Sequence, residues 1–275
     1  MLNRLLENTR RRVAIQREKM PLNNLVKIID HNEGTHRPPT LANLMSQKNG
    51  ISVIAEMKRS SPSKGLLRSD LVPAKMAIAY QQAGAEAISV LTEPSGFGGC
   101  EEDLLQVREV VTCPLLRKDF IISSYQVVET AALQADILLL IAAALSNSQL
   151  IHLHRMAAEW HLQCLLEIHN QEELYRVLAL PLNPAKDYIG INNRNLKTFQ
   201  VSLETTYLLA PQVPEELMVI SESGIGTRDQ VEKMQGVGVN GILVGESLVM
   251  ATDPWEVLHE LRGRGNNEIC EKNSR

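Results

Sequence analysis

A chain of 275 residues, 44% of them hydrophobic, can bury a substantial core as one large domain or two small ones. Its formal net charge of −4 gives no broad basic field for nucleic acid, and no apolar run is long enough to span a bilayer, so a soluble, cytoplasmic protein is expected, with no nucleic-acid or membrane partner. Cys100, Cys113, Cys164 and Cys270 form no Cys-x-x-Cys pair, which points to reduced thiols rather than a disulfide or zinc framework.

The opening stretch MLNRLLENTRRRVAIQREKM lacks the uninterrupted apolar core of a secretory signal, and Glu7 and Glu18 are unlike an acid-poor transit peptide. Arg10, Arg11, Arg12 and Arg17 read as the solvated face of an amphipathic helix. A break at Pro21 and the turn-rich linker HNEGTHRPPT divide this region further.

From about residue 50 onward, short apolar segments recur at a loose period of roughly thirty residues, each followed by a helical pattern. They begin at Val53–Lys58 and continue with AISVL, PLLRKDF, DILLLI, CLLEI, YIGIN, MVISES and GILVG, making eight βα units. Eight such units favour a closed parallel (β/α)8 TIM barrel of the α/β class, because closure removes exposed sheet edges. An open doubly wound sheet is the rival. The glycines of GVGVNG have a dinucleotide-binding spacing, but a helix precedes them and a strand follows, the reverse of what that fingerprint requires. The expected organisation is an N-terminal helical extension capping the barrel at 1–50, the catalytic barrel at 51–265 and a polar tail at 266–275.

Chemistry in such barrels gathers where strands end. The first unit ends in Glu56 and Lys58, which project from one face because side chains alternate along a strand. A plain ion pair at a strand mouth would explain those two alone. Lys118 ends the third unit, Glu167 the fifth, Asn192 and Arg194 the sixth, and Glu222 with Ser223 the seventh. So many polar strand ends converging on one mouth point to a site. The last two units close in SESGIGT and LVGESL, where Gly224 and Gly245 let backbone N–H groups approach an anion, as phosphate sites of barrels do. His152, His154 and His161 fall in or near a helix on the far side, and His169 shows no partner set of carboxylates or cysteines, so a metal-free, cofactor-free site is expected. The residues alone therefore describe an enzyme acting on a small phosphorylated metabolite, with lysines and carboxylates for acid–base work.

The ordered series IAEMKRSSPSKG, LLRKDF, LLEIHN, IGINNRNL, SESGI and LVGESL closely resembles the motifs of indole-3-glycerol phosphate synthases, from about Ile51 to Leu248. The resemblance implies ring closure with decarboxylation and dehydration of 1-(2-carboxyphenylamino)-1-deoxyribulose 5-phosphate, a step of tryptophan biosynthesis. It implies Lys118 as principal general acid, and Lys58 as partner of the substrate's anionic end with acid duty in dehydration. Glu167 becomes a proton-transfer carboxylate and Glu56 the group that orients lysine and substrate hydroxyls. Asn192 and Ser223 join the catalytic set, while Arg194 and Glu222 bind substrate. Phosphate is expected on the N–H groups near Gly224, Gly245 and Glu246, with Phe97 and Phe120 as apolar walls. The N-terminal helices resemble the family's segment over the barrel mouth.

Lys64 and the altered acidic run after it depart from the usual loop, which weakens Ser61 as a loop contact, and Glu246 stands where some members carry a small polar residue. One activity is expected, with partner chains from the same pathway left open. Two rivals remain: a Schiff-base aldolase using Lys118 as nucleophile, and a non-catalytic barrel acting as an assembly subunit.

Overall fold

The computed structural model describes residues 2–32, 38–47, 50–62, 64–196 and 198–263. The expected tail at 266–275, Cys270 and residues 33–37 of the linker lie outside the described residues. Cys100, Cys113 and Cys164 are free. No described helix is long and apolar enough to cross a membrane.

Eight parallel strands close into a barrel in sequence order: β1 (Ser52–Met57), β2 (Ala87–Leu91), β3 (Leu115–Lys118), β4 (Ile137–Ile141), β5 (Gln163–Ile168), β6 (Asp187–Asn192), β7 (Met218–Glu222) and β8 (Gly241–Val244). β8 returns to pair with β1, Gly241 opposite Ser52 and Val244 opposite Ala55, so no strand edge is left open. Each expected segment matches its strand to within about two residues, the usual fraying of strand ends. Lys58 falls one residue beyond β1.

The two-residue pleat divides the strands into two environments. Outward residues such as Val53, Leu115, Leu138, Leu166, Ile189 and Ile242 join the layer packed beneath the surrounding helices. Inward residues Ile54, Leu116, Leu139, Leu165, Ile220 and Leu243 fill the barrel interior. The inward face turns ionic only at the final position of several strands, at Glu56, Lys118, Glu167 and Glu222.

The three helices before β1 go to three different places. α1 (Leu2–Lys19) lies along the loops after β2 and β3: Leu5 and Leu6 pack with Phe120, and Arg12 clamps Asp119 through two contacts of 2.7 Å while donating to the Thr92 carbonyl. α2 (Leu22–His31) packs on the barrel's flank, where Leu25 meets Tyr125, Val128 and Ala132. α3 (Leu41–Ser46) closes the opposite end from the mouth. Its first two N–H groups are taken by Gln163 Oε1 at 2.9 Å and Tyr188 Oη at 3.1 Å, and the Tyr188 hydroxyl in turn donates to Gln163.

That floor is a test of packing separable from chemistry. Tyr188→Phe deletes a fully buried hydroxyl and leaves the Ala42 N–H without its partner, which costs about 1–3 kcal/mol. Urea unfolding should show that loss while kcat stays near wild type; an unchanged midpoint would mean that α3 is not held there.

Candidate active site

At the C-terminal end of the strands opens a cavity of about 540 Å³, within the range of about 300–1,000 Å³ usual for small-molecule sites. Glu56, Lys58, Ser61, Phe97, Lys118, Phe120, Glu167, Asn192, Arg194, Glu222, Ser223, Gly224, Gly245 and Glu246 all line it. The structure therefore brings together every residue that the sequence nominated, from seven of the eight strand ends. Leu139, Ile141 and Leu243 form an apolar floor among them.

Lys118 is the centre of the polar set. Its Nζ lies 2.9 Å from Glu167 Oε2 and 3.3 Å from Glu222 Oε2. Burial alone would drive the proton off this amine, but Glu167, Glu222 and Glu56 together outweigh it and hold its pKa above the ordinary lysine value. The two carboxylates respond in opposite directions. Burial would raise Glu167, yet Lys118 and His169 overcome that and keep it below the usual carboxylate range. Glu222 is pushed up to about 7 by burial against the pull of Lys118, with Glu167 and Glu56 adding to the rise. One Glu222 oxygen, Oε1, is buried without a hydrogen-bond partner.

At the next position round the mouth, Lys58 Nζ meets Glu56 Oε1 at 2.7 Å. Gly245 makes room for that pair, because a Cβ placed on it would lie 2.6 Å from Glu56 Oε1 and 3.1 Å from Lys58 Nζ. Its backbone is not left-handed, with φ −128°, so close approach rather than turn geometry demands glycine there. Gly224 differs: its φ is +79°, and it follows Ser223, itself at φ +68°. Gly190 was missed in the sequence. It sits mid-strand in β6, where a Cβ would come within 2.4 Å of Glu222 Oε1, and a glycine interrupting an apolar strand is the signal that a neighbour approaches closely.

The loop after β6 folds back on itself. Arg194 pairs with Val201 in an antiparallel bridge, takes Asn192 Oδ1 on its own N–H at 3.0 Å, and reaches the Phe199 carbonyl with its guanidinium. Across the mouth, Lys64 pairs with the Glu246 carboxylate, tying the loop after β1 to the helix that starts at Glu246. Glu246 thus uses its side chain, a contact that the backbone-only expectation did not include. Ser61 Oγ and Ser247 Oγ are buried at the cavity with no hydrogen-bond partner among the described residues.

Histidine chemistry departs from expectation. His169 does have carboxylate partners: Nδ1 lies 3.0 Å from Glu173 Oε2, and Nε2 lies 3.3 Å from Glu167 Oε1. The i,i+4 spacing of His169 and Glu173 was visible in HNQEE, but the contact to Glu167 needs the fold. Behind the barrel wall, His154, Cys164 and Asp187 bring donor atoms within 4.8 Å of one another, with His154 Nε2 3.0 Å from Asp187 Oδ2. All three are buried, and that Asp187 oxygen also accepts the Asn183 N–H.

A closed barrel whose mouth holds lysines, carboxylates and glycine turns is a metabolic-enzyme architecture acting on small anions. Solved structures share the fold: 3-hexulose-6-phosphate synthase from Salmonella typhimurium superposes with a TM-score of 0.61 at 13% identity, over 78% of this chain and 98% of that one. Thiamine phosphate pyrophosphorylase from Pyrococcus furiosus gives 0.57 at 17% identity, over 78% and 95%. Residues 2–261 match the family model described as indole-3-glycerol phosphate synthase. The indole-3-glycerol phosphate synthase of Alkaliphilus metalliredigens is 39% identical over 95% of this chain and 98% of its own, and that of Albidiferax ferrireducens 48% identical over 76% and 78%. The chain belongs to the indole-3-glycerol phosphate synthase family.

The neighbours Gly245 and Glu246 separate two kinds of contact. Gly245→Ala should lower kcat as well as raise KM, because the added methyl displaces the Glu56–Lys58 pair. Glu246→Ala removes a solvent-accessible ion pair worth about 1 kcal/mol or less, so KM should move by less than about fivefold. Steady-state kinetics on both variants decides; a larger KM effect at Glu246 than at Gly245 would relocate the anion contact to the carboxylate's side.

Proposed function

We propose that this chain converts 1-(2-carboxyphenylamino)-1-deoxyribulose 5-phosphate into indole-3-glycerol phosphate, carbon dioxide and water. The reaction is that of a carboxy-lyase of tryptophan biosynthesis, and our reading assigns it to the cytoplasm, without a metal or cofactor. The observation that carries the reading is a largely enclosed lysine bracketed by two carboxylates at 2.9 and 3.3 Å, within one cavity that also holds the glycine turns.

The substrate brings a carboxylate-bearing aromatic ring at one end and a phosphate at the other. Its phosphate belongs at the Gly224 and Gly245 turns, near Lys58 and the unpartnered hydroxyl of Ser247. Phe97, Phe120 and the apolar floor face the ring, with Arg194 near its carboxylate. As the ring carbon attacks the C2 carbonyl, negative charge develops on oxygen, and Lys118 gives it a proton. Loss of carbon dioxide restores the aromatic ring. Departure of the new hydroxyl as water needs an acid, for which Lys58 and Lys118 stand available, and a base to take the final proton, for which ionised Glu167 is suited. Asn192 and Ser223 orient the hydroxyl and amine groups, and Glu56 balances the Lys58 ammonium. Residues 1–50 serve as a helical extension to a barrel spanning 51–265.

The charge state of Lys118 also discriminates against a Schiff-base aldolase. That chemistry needs a free amine near neutral pH, whereas neighbouring carboxylates, Glu167 foremost, outweigh burial and raise the pKa of this one.

Lys118→Met should reduce kcat at least a hundredfold, the usual scale of general acid catalysis, with circular dichroism unchanged. Lys118→Arg should be nearly as inactive, since a guanidinium does not release its proton. The assay follows indole formation from the carboxyphenylamino-deoxyribulose phosphate. More than about a tenth of wild-type turnover in Lys118→Met would remove the general-acid role.

A further inference from the structure

We propose that His169, held by Glu173, is a positioning residue whose imidazolium fixes Glu167 in its ionised state and thereby decides which of the two carboxylates beside Lys118 carries a proton. This rests on the reading of Glu167 as the reacting carboxylate.

The geometry favours a charged His169: Nδ1 is hydrogen-bonded to Glu173, and Nε2, which makes no hydrogen bond among the described residues, lies in ion-pair range of Glu167. Its ring stands between two carboxylate oxygens, 3.0 Å from one nitrogen and 3.3 Å from the other. A neutral imidazole carries one N–H and one lone pair, so in either tautomer a lone pair would face a carboxylate oxygen. The doubly protonated ring avoids that repulsion, donating from Nδ1 to Glu173 and setting the Nε2 charge, without a hydrogen bond, beside Glu167. The site is largely closed to water, with about a tenth of the side chain accessible, so solvent does little to soften that mismatch.

Glu173 is a firm anchor. It sits in the first turn of the helix Gln171–Leu178, where the Asn170 side chain caps its N–H. One Glu173 oxygen takes the Asn170 amide at 2.7 Å, and the other takes the His169 backbone N–H at 2.8 Å as well as the ring. Glu167 is in turn divided between two cations, Oε2 on Lys118 and Oε1 facing His169, which fixes its carboxylate plane.

The consequence concerns symmetry. Lys118 faces Glu167 from β5 and Glu222 from β7, with Glu56 from β1 close enough to act on it, and Glu56 is itself paired with Lys58. One ammonium cannot keep both flanking carboxylates ionised in a buried pocket. Of the charged groups facing this pair, His169 touches Glu167 and not Glu222. Glu167 is accordingly held low while Glu222 is pushed up to about 7. Burial would lower His169 itself, but Glu167 and Glu173 reverse that and raise it to about 10. His169 does not line the cavity, so it acts through Glu167 and not on substrate.

The test uses His169→Gln, Glu173→Gln and Glu167→Gln in the full chain, with nuclear magnetic resonance of the His169 ring in the wild type. The ring should stay protonated at pH 8, and Glu173→Gln should lower its midpoint. In His169→Gln the acid limb of the kcat profile should move up by about one pH unit or more, as Glu167 loses its neighbouring cation, while KM changes less than about twofold. Stability has a defined sign: a histidine raised from 6.5 to about 10 stabilises fully below pH 6.5 and loses that contribution as pH rises toward 10. The difference in thermal midpoint between wild type and His169→Gln should therefore shrink over that interval. A neutral ring at pH 8, or an unshifted pH profile in a folded His169→Gln enzyme whose Glu167→Gln counterpart is inactive, overturns the proposal alone. Full turnover in Glu167→Gln instead overturns the role of Glu167 beneath it.

Discussion

One buried ammonium constrains much of this molecule. A lysine in an enclosed cavity loses its proton unless negative charge is placed beside it. The barrel meets this demand with Glu167, the last but one residue of β5, and Glu222, the last of β7, whose oxygens stand 2.9 and 3.3 Å from Lys118. That arrangement creates its own difficulty, because three carboxylates around one lysine repel each other. The excess is relieved at both sides: Lys58 pairs with Glu56, His169 faces Glu167, and Glu222 is left with a raised pKa. Even Gly190 belongs to this solution, since any larger residue would occupy the space of the Glu222 carboxylate.

The same strand shows how a pleat sorts charge. Arg117, Lys118 and Asp119 are consecutive; Lys118 and Asp119 both line the cavity, but of the three Lys118 pairs with Glu167 and Glu222. Arg117 points outward and is fully buried, held by Glu129 at 2.7 Å and by the Thr130 hydroxyl at 3.1 Å. Asp119 accepts Arg12 from α1 and the Thr92 hydroxyl, with Arg117 3.6 Å away. Those outer ions anchor the first helix beside the mouth, and a buried pair broken on one side costs several kcal/mol, typically about 3–5. Lys118 is thus flanked along the chain by two residues that lock the strand end in place.

Strand positions were readable because a two-residue alternation needs only neighbours, and the polar strand ends were readable because charges are out of place in an apolar run. The parts that escaped depend on distant partners. Gly190 looks like an ordinary strand residue until Glu222, from the neighbouring β7, is placed beside it. His169 looks isolated because its contact to Glu167 is set by how the chain turns after β5, although Glu173 one helical turn ahead gave a local hint. The Lys64–Glu246 pair joins loops 182 residues apart, and each member alone reads as a surface charge. For α3, hydrophobic pattern shows that it packs but not on which end of the barrel; the buried hydroxyl of Tyr188 and the amide of Gln163 select the floor.

The adjacent asparagines of INNRN show why a strand end can be both polar and rigid. Asn192 faces the cavity, whereas Asn193 turns away and is almost wholly buried. Its amide donates to the Ser221 hydroxyl and to the carbonyls of Glu222 and Ser223 at 3.0 to 3.1 Å, and its oxygen accepts from Thr206. Ser223 is the residue held at φ +68°, a conformation that costs a serine roughly 1 kcal/mol or more and persists only where the surroundings over-determine it. Asn193 supplies that determination from the neighbouring strand end. With the Ser223 carbonyl fixed, the chain enters Gly224 already turned, and the direction of that turn is set by the protein itself. Substituting Asn193, which does not line the cavity, would therefore loosen the Gly224 turn, although it lies beside Asn192, which does.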